Sequence, residues 1–404
     1  MSERELEGGG KTDQATLASA SQAAAAATVV VAQESSRSDS VTVEFGFDCP
    51  LALLTVGIRT TNVRIEKAGE ARLGPHVRVK AIVSSWSTTL HSRLHVSSTV
   101  GPSGECVLEL EVDGSVWDLG MTSAEITVTL PVHEYAAGEH PGIRVDIPNG
   151  AIGVTMLGDT SIRFLDLKTG HGPAHLSDVA VGSLLLVAHH GNITVHDICA
   201  TGVVDITGHG AWIDVDDVRA AQLTATSSDA IISLKDIDAK TVSATTSNAR
   251  IGLGNIRADT LKANTTNGEI AASNVTAAVC SAMTTKGSIE GDWCPTAKLH
   301  LATAEAKIAA RVLLDSAEHV EMLFVTKRAP IQVDLPASFS GGFSLETTGY
   351  YKTFVYTHPK VKANPVLHVA KPDKKVGVLD STGIHHSLKA TSEEAPVTVN
   401  FGTL

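Results

Sequence analysis

The feature that most constrains the fold is a repeat with a period of 19 residues. It is clearest in residues 245–277, which read "TTSNARIGLGNIRADTLKANTTNGEIAASNVTA". Ile251 is answered 19 residues later by Ile270, and the asparagine and aliphatic residue that follow Ile251 recur at the same step. The spacing is strict while the residue identities vary, which is typical of a chain that winds into stacked coils.

An aliphatic column runs through the whole repeat region. Its steps are 19 residues except for one step of 20, which we place inside "GHGAWI" (residues 208–213). Flanking units with longer spacers occur at Ile152 and Ile331, which makes about ten units. The members of the column are Ala174, Ile193, Ile213, Ile232, Ile251, Ile270, Ile289 and Ile308.

Two repeat architectures fit such a period, the leucine-rich repeat and the β-solenoid. The LxxLxLxxN frame of the leucine-rich repeat is absent. Each unit instead holds short runs of alternating apolar residues, and the alternation breaks between the runs, which indicates corners. Aromatic residues make up 4% of the chain against 43% hydrophobic residues, and small or β-branched side chains suit thin β layers. We therefore predict an all-β protein built on a parallel β-solenoid (β-helix) of about ten coils of about 19 residues, with rungs about 4.8 Å apart.

The chain divides into four segments. Residues 1–40 begin acidic and glycine-rich, pass through a short alanine and valine run, and are predicted to be a disordered tail. Residues 41–148 carry alternating runs such as "HVRVKAIV" and are predicted to form an N-terminal β segment. Residues 149–336 are the predicted solenoid. Residues 337–404, with the aromatic stretch "GGFSLETTGYYKTFVYTHP", are predicted to form a C-terminal β cap over the last rung.

Two polar columns accompany the aliphatic one. The first holds Asp or Asn, and we predict corner residues there because both types tolerate left-handed backbone geometry. A stacked-carboxylate calcium site is the alternative, but the glycine-rich nonapeptide of such sites is absent. The second holds hydroxyls, which we expect to bond along the ladder. The members are Asp178, Asp197, Asp217, Asp236, Asn255 and Asn274 in the first column, and Thr207, Ser227, Thr246, Thr265, Thr284 and Thr303 in the second.

Three histidines, His171, His190 and His209, lie 19 residues apart, and each precedes a glycine. Later coils place Asp or Asn at the same point, and turn positions before glycine favour all three residue types because these are enriched at positive φ. Stacked imidazoles could also bind zinc or nickel. Because side chains in one column point the same way rather than converging on one atom, we favour the turn interpretation and assign no metal site, with metal binding by these histidines as the alternative.

Some parallel β-helices cleave polysaccharides, and the chain resembles the polygalacturonases in "GHG" (residues 208–210) and in the paired carboxylates of Asp216 and Asp217. Glycoside hydrolysis needs two carboxylates that flank the scissile bond. In the polygalacturonases the paired Asp motif precedes GHG, whereas here the order is reversed and their NTD and RIK motifs are absent. We therefore predict no enzyme activity, no catalytic residues and no cofactor.

Net charge narrows the classes of partner, and the cysteine pattern indicates the state of the thiols. The formal net charge of −12 argues against nucleic acid and anionic membranes. Five cysteines without a CxxC pair indicate free thiols, and we expect Cys199, Cys280 and Cys294 to be buried.

The longest apolar run is too short to cross a bilayer, and the acidic N-terminus lacks the basic start of a signal peptide. We therefore expect no membrane insertion, and slightly favour an intracellular location over the cell surface.

The run "IRVDIPNGAIGVTML", followed by coils of the type TTxGxIxxxNVxA, resembles the putative-adhesin family of β-solenoid proteins of unknown function. The resemblance covers about residues 140–335. It implies a parallel solenoid with a role at surfaces or as a non-catalytic scaffold, and it implies no catalytic residues. The lack of a signal peptide departs from the pattern of a secreted adhesin.

Together these observations predict a non-catalytic, adhesin-like β-solenoid that presents a binding or scaffold surface to a protein or glycan partner. A self-assembling scaffold, in which rods stack end to end, is the first alternative, and a polysaccharide-active β-helix enzyme is the second. Weak self-association stays open, and the sequence does not identify the partner.

Overall fold

The computed structural model describes residues 142–314, 319–348, 350–359, 361, 365–379 and 386–402, together with eight strands before residue 142. Every regular element among these residues is a β-strand, and this part of the chain contains no helix that could cross a membrane. The strands stack in parallel as a solenoid of about ten turns spaced about 19 residues apart. The predicted all-β parallel β-solenoid is therefore confirmed.

The strands fall into three groups along the chain. The N-terminal group is β1 (Ala26–Val30), β2 (Asp39–Phe47), β3 (Leu51–Val56), β4 (Thr60–Lys67), β5 (Val77–Ser85), β6 (Leu94–Val100), β7 (Cys106–Val112), β8 (Thr122–Leu130) and β9 (Gly142–Asn149). The repeat group is β10 (Ile152–His171), β11 (Ala174–Ala188), β12 (Ile193–Ala200), β13 (Val203–Gly208), β14 (Ile213–Ser227), β15 (Ile232–Thr246), β16 (Ile251–Thr265), β17 (Ile270–Met283), β18 (Ile289–Ala302), β19 (Ile308–Val312), β20 (Glu321–Thr326) and β21 (Ile331–Leu335). The C-terminal group is β22 (Gly341–Thr347), β23 (Thr353–Thr357), β24 (Val366–Ala370), β25 (Lys374–Leu379), β26 (His386–Ser392) and β27 (Val397–Phe401).

Each coil consists of short faces joined at corners. In β15, buried side chains alternate from Ile232 onwards, but the alternation breaks at Asp236 and again before Val242. We call the face that corresponds to residues 232–235 the Ile face and the one that corresponds to residues 241–246 the Leu face. The breaks in alternation lie where the sequence predicts corners.

Columns of aliphatic side chains fill the interior of the coils. The eight members of the predicted Ile column are at most 1% exposed. Each lies on its counterpart in the next coil, as Ile232 does between Ile213 and Ile251. Burying one such side chain contributes about 1.5–3 kcal/mol, and the contribution recurs at every rung. The inward columns therefore explain why the spacing is strict while outward residues vary.

The one extra residue of the repeat lies at a different point from the predicted one. Ala200 pairs with Val181, 19 residues earlier, whereas Val204 pairs with Leu184, 20 residues earlier. The insertion therefore falls between β12 and β13, near residues 201–202, and the prediction that it lies inside "GHGAWI" is wrong. A column with one residue per coil fixes the length of a coil but not the point within it where a residue is added.

The strands before the repeat extend both faces, but not in chain order. β4 stacks in parallel on the start of β10, and β9 stacks in parallel on its second half. β8 continues the ladder below β4, and β3 and β7 continue the ladder below β9. Antiparallel strands follow, with β5, β2 and β1 on the Ile face and β6 on the Leu face.

Strand β1 lies inside the segment predicted to be a disordered tail. It pairs antiparallel with β2, so the structure differs from that prediction at residues 26–30. Its valines suit a strand that can pair with an open edge. Residues 1–25 and 31–38 lie outside the described residues.

The C-terminal segment interleaves with the solenoid rather than only covering it. β26 stacks in parallel between β20 and β22, and β27 stacks in parallel between β21 and β23. The end of the chain thus inserts one rung before the strands that precede it in sequence. The hairpin of β24 and β25 then pairs antiparallel with β22. The four-segment division stays a prediction, but the parallel ladder crosses both ends of the predicted solenoid.

Candidate functional site

The Asp and Asn column occupies the corner that follows the Ile face. All six members have φ between 51° and 55°, and they are the non-glycine residues with positive φ in the described part of the chain. Asp and Asn visit this left-handed region more readily than other non-glycine residues because their short polar side chains can bond locally. The prediction of left-handed corner residues is confirmed.

Neighbouring corner side chains bond to each other along the axis of the solenoid. Asn274 Nδ2 donates to Asn255 Oδ1 at 3.1 Å, and Asn255 Nδ2 donates to Asp236 Oδ1 at 2.8 Å. The two amides thus donate in the same direction, and the chain of bonds ends on the carboxylate of Asp236. The pKa of the Asp236 carboxyl lies below its ordinary value. The hydrogen bond from Asn255 is the largest cause, and the bond from Lys235 is the second.

The corner column and the outward residues beside it line a shallow polar groove of about 320 Å³. Arg219 and Arg257 lie on either side of Asp238 in the outward column, so cations and carboxylates alternate along it. Because opposite charges alternate, the electrostatic potential in the groove has no single sign. It is therefore a weak candidate for a charged ligand.

The hydroxyl column ties the turns of adjacent coils together. Thr284 Oγ1 donates to the carbonyl of Gly268 at 3.0 Å and accepts from the backbone N–H of Gly287 at 3.1 Å. Thr265 makes the corresponding bonds to Ala249 and Gly268. The hydroxyls therefore bond along the stack of coils as predicted, and their partners are backbone groups of the tight turns, which would otherwise stay unpaired.

One member of that column was misplaced by the sequence pattern. The residue that pairs with Ser227 is Gly208, whereas Thr207 pairs with Thr226 and lies outside the column. The insertion near residues 201–202 causes this shift by one position.

The same insertion rearranges the histidines. His171 stacks on His190 with ring centroids 4.7 Å apart, but His209 stacks on His189 at 4.6 Å. The three predicted residues therefore form no single column, and the sequence analysis missed His189, for which "HHG" at residues 189–191 was the signal. No histidine has positive φ in the described part, so that explanation of the pattern is wrong.

Close approach of the backbone explains the glycines that follow His171 and His190, but not Gly210, which has room for a Cβ. A Cβ on Gly191 would lie 1.7 Å from the carbonyl oxygen of Gly172 in the preceding coil. Within the described residues, no group of three His, Cys, Asp or Glu side chains is arranged to hold a metal ion.

The residues that resemble polygalacturonase motifs have structural partners. Asp216 lies on the outward side of the Ile face, 3.4 Å from Lys235 Nζ and 3.6 Å from His196 Nδ1. Asp217 is an exposed corner residue with φ of 51°. His209, in "GHG", stacks on His189. The ion pairs and hydrogen bonds of the described residues include none between His209 and either carboxylate.

Exposed aromatic side chains gather at the C-terminal end of the molecule. We call Tyr350, Tyr351, Phe354 and Tyr356 the aromatic strip. Phe354 and Tyr356 are 36% and 55% exposed on the outward side of β23. Their ring planes differ by 7° and their centroids are 6.2 Å apart. From the sequence, this aromatic stretch is predicted to cover the last rung.

Core aromatics of the same segment pack inside its rungs. Phe339, Phe343 and Phe401 are at most 2% exposed and pack ring against ring. His386 packs on Phe339, and its Nδ1 accepts a hydrogen bond from the Val320 N–H at 3.2 Å. Burial lowers the pKa of His386 below its ordinary value, with a further contribution from His319. These three phenylalanines are thus buried, while Phe354 and the tyrosines of the aromatic strip are exposed.

A family profile described as Toastrack DUF4097 matches residues 108–340, more than half of the chain. The chain belongs to this family. The match begins within β7 and ends before β22, so it covers the Toastrack solenoid together with part of the N-terminal β segment. A comparison with curated proteins finds no match.

Three solved structures resemble the chain at low identity. One is a putative adhesin from Bacteroides fragilis, 10% identical, with a TM-score of 0.27 over 90% of this chain and 97% of that one. A second is a putative cell adhesion protein from Clostridium sporogenes, 8% identical, with a TM-score of 0.17 over 94% and 100% of the two chains. A third is a putative adhesin from Parabacteroides distasonis, 9% identical, with a TM-score of 0.17 over 89% and 97%. Neither the family description nor these names denotes an enzyme.

Proposed function

We propose that this Toastrack protein is a non-catalytic binding scaffold that engages a protein or glycan partner through the aromatic strip at its C-terminal end. The observation that carries the proposal is the concentration of exposed aromatic side chains there. Three of the chain's four tyrosines are Tyr350, Tyr351 and Tyr356, and all are exposed. Tyrosine is enriched at binding interfaces because it supplies a large contact area and a hydroxyl.

The scaffold beneath the strip supports this role. β23 pairs in register with β27, and β27 pairs in register with β21, so the strip rests on a continuous parallel ladder. Val355, between the two outward rings, packs on the hydrophobic core. A rigid platform limits the loss of conformational freedom when a partner binds.

The test is partner capture by the full chain expressed with a tag in its own cells and crosslinked before extraction. A Tyr350→Ser/Tyr351→Ser variant removes two exposed rings, and Trp212→Ser serves as the control because Trp212 is 50% exposed in the turn before β14. We expect the wild type and the control to capture the same partner and the double variant to lose it. Capture that is equal in all three proteins would contradict the proposal.

One observation favours the self-assembling scaffold as a second candidate. Among the described strands, β23 and β24 each pair along one side only, and an open edge can add a strand from another copy. Light scattering over a concentration series separates the two functions. Polymers that lengthen with concentration would support assembly, whereas a constant mass would support the binding scaffold.

A further inference from the structure

We infer that Phe354, Tyr356 and the polar residues beside them form a binding site for an acidic glycan, a saccharide chain that carries carboxylates. This inference rests on the proposed binding function and names the ligand class for part of the aromatic strip. Four features carry it: the ring geometry, the polar row beside the rings, an unpaired lysine, and the local charge.

Phe354 and Tyr356 are neighbouring, nearly parallel rings on one strand, and we call the pair the platform. They alternate along β23 with Thr353 and Val355, so both project outward from the Ile face. Their centroids are 6.2 Å apart, so one extended ligand can contact both rings. The C–H groups on the face of a sugar ring carry partial positive charge, and the face of an aromatic ring is negative, so the two attract.

A row of hydrogen-bonding side chains runs next to the platform. Thr398 is the cross-strand partner of Phe354, and Asn400 is the cross-strand partner of Tyr356. Both side chains are partly exposed. Asn400 Nδ2 donates to Asp334 Oδ1 at 2.6 Å, which fixes the amide and leaves its oxygen available as an acceptor. Beyond Thr398 the next outward residue is Gln332. Hydroxyl and amide groups of this kind match the hydroxyls of a sugar chain.

A lysine at the start of the platform selects for negative charge. Lys352 is exposed and lies directly before β23, two positions before Phe354. In the described part of the chain it takes part in no ion pair, in contrast to Lys374, which lies 3.4 Å from Glu346. The nearby carboxylate of Asp334 is already bonded to Asn400 and faces Arg311. A ligand carboxylate would therefore find an uncompensated cation beside the rings.

The sequence around the strip is basic although the chain is acidic. Residues 350–379 contain six lysines and one aspartate, whereas the formal net charge of the whole chain is −12. Charge complementarity thus favours an anionic partner at this end. The polar row beside the rings differs from the apolar surroundings expected at a lipid-docking tip, and this favours a carboxylated sugar over a lipid surface.

The test is a titration of the full chain with oligogalacturonate, hyaluronan and polysialic acid, followed by calorimetry. Dextran, oligothymidylate and vesicles containing an anionic lipid are measured in parallel. We expect at least one acidic glycan to bind and dextran not to bind. A Phe354→Ala/Tyr356→Ala variant should bind at least about tenfold more weakly, and Lys352→Gln should also weaken binding and reduce its dependence on salt. Trp212→Ala, which removes an exposed ring elsewhere, should bind as the wild type does.

Three outcomes would overturn the inference. The first is that no acidic glycan binds. The second is binding that the double variant leaves unchanged, since the site would then lie elsewhere. The third is oligothymidylate or vesicle binding that exceeds glycan binding and is lost in the double variant. None of these outcomes decides the capture experiment. That experiment asks only whether capture of a partner, of any kind, requires Tyr350 and Tyr351. Circular dichroism of each variant confirms that a loss of binding is not a loss of fold.

Discussion

At the scale of single residues, the corner column shows why Asp and Asn recur in this chain. Each corner holds φ near +52°, where a side chain with a Cβ is strained. The polar side chain then bonds along the axis to the next corner, as Asn274 does to Asn255. Backbone geometry and a side-chain ladder thus select the same two residue types.

Replacing Asn255 separates these two contributions. Asn255→Ala puts an alanine at φ of 51° and removes its bonds to Asp236 and from Asn274. We expect a loss of about 1–3 kcal/mol in the free energy of unfolding. Asn255→Gly removes the same bonds but relieves the strain, so it should cost less. Chemical denaturation of both variants measures the difference, and an equal loss in both would show that backbone strain contributes nothing.

Two cysteines should differ sharply in reactivity. Burial raises the pKa of the Cys280 thiol to about 12, so almost no reactive thiolate exists at neutral pH. Cys199 is exposed on the outward column, which corrects the expectation that it is buried. We expect iodoacetamide to label Cys199 in the folded protein and Cys280 only after unfolding. Mass spectrometry of the labelled peptides provides the measurement, and labelling of Cys280 in the folded protein would contradict the burial.

His386 should make the C-terminal end sensitive to acid. Burial lowers its pKa in the folded state, so the unfolded chain binds a proton more readily as the pH falls below about 6.5. The stability contribution is therefore complete above the unfolded pKa and decreases as the pH falls towards the folded pKa. We expect His386→Gln, whose side-chain oxygen can still accept from the Val320 N–H, to flatten the decline in stability between about pH 7 and pH 5. An identical pH dependence in the two proteins would refute this role.

At the scale of the element, the repeat period could be predicted from the sequence, but the side-chain contacts between coils could not. The aliphatic column and the breaks in alternation were predictable because burial repeats once per coil. The insertion near residues 201–202 was not predictable from that column, and it moved both His209 and Thr207 out of their predicted places. Outward side chains carry no burial signal that could have corrected the alignment. The backbone partners of the turn hydroxyls could not be predicted either, because a hydroxyl that bonds to a backbone carbonyl leaves no distinct pattern in the sequence.

The buried hydroxyls should contribute more than their size suggests. Thr284→Val keeps the shape of the side chain but leaves the Gly268 carbonyl and the Gly287 N–H without their partner. We expect a loss of about 1–3 kcal/mol, because both groups would be buried without a hydrogen bond. Thr284→Ser keeps the hydroxyl and should retain most of the stability. Thermal unfolding of the two variants compares them, and a valine variant as stable as the wild type would argue against the bridge.

At the scale of the whole molecule, the order of strands in space differs from their order in the chain. The rungs of β26 and β27 carry the same alternation as their neighbours, so the sequence offers no signal for which rung comes last. The net charge of −12 is likewise an average over the whole chain, and it conceals the basic stretch around the aromatic strip. Interleaving places that strip on a ladder closed by the end of the chain, so the platform depends on residues that follow it in sequence.

A variant in the inserted strand β26 tests the interleaving on the other face of the ladder. Leu388 is 2% exposed and pairs with Met322 on one side and Phe343 on the other. We expect Leu388→Ala to lower the free energy of unfolding by about 2–5 kcal/mol. Hydrogen exchange should quicken in both β20 and β22, because each loses a packing partner, while Lys389→Ala, an exposed change on the same strand, should alter neither. Exchange that quickens in β20 but not in β22 would contradict the interleaving. It would mean that β22 does not depend on packing against β26, as in a cap whose strands stack in chain order.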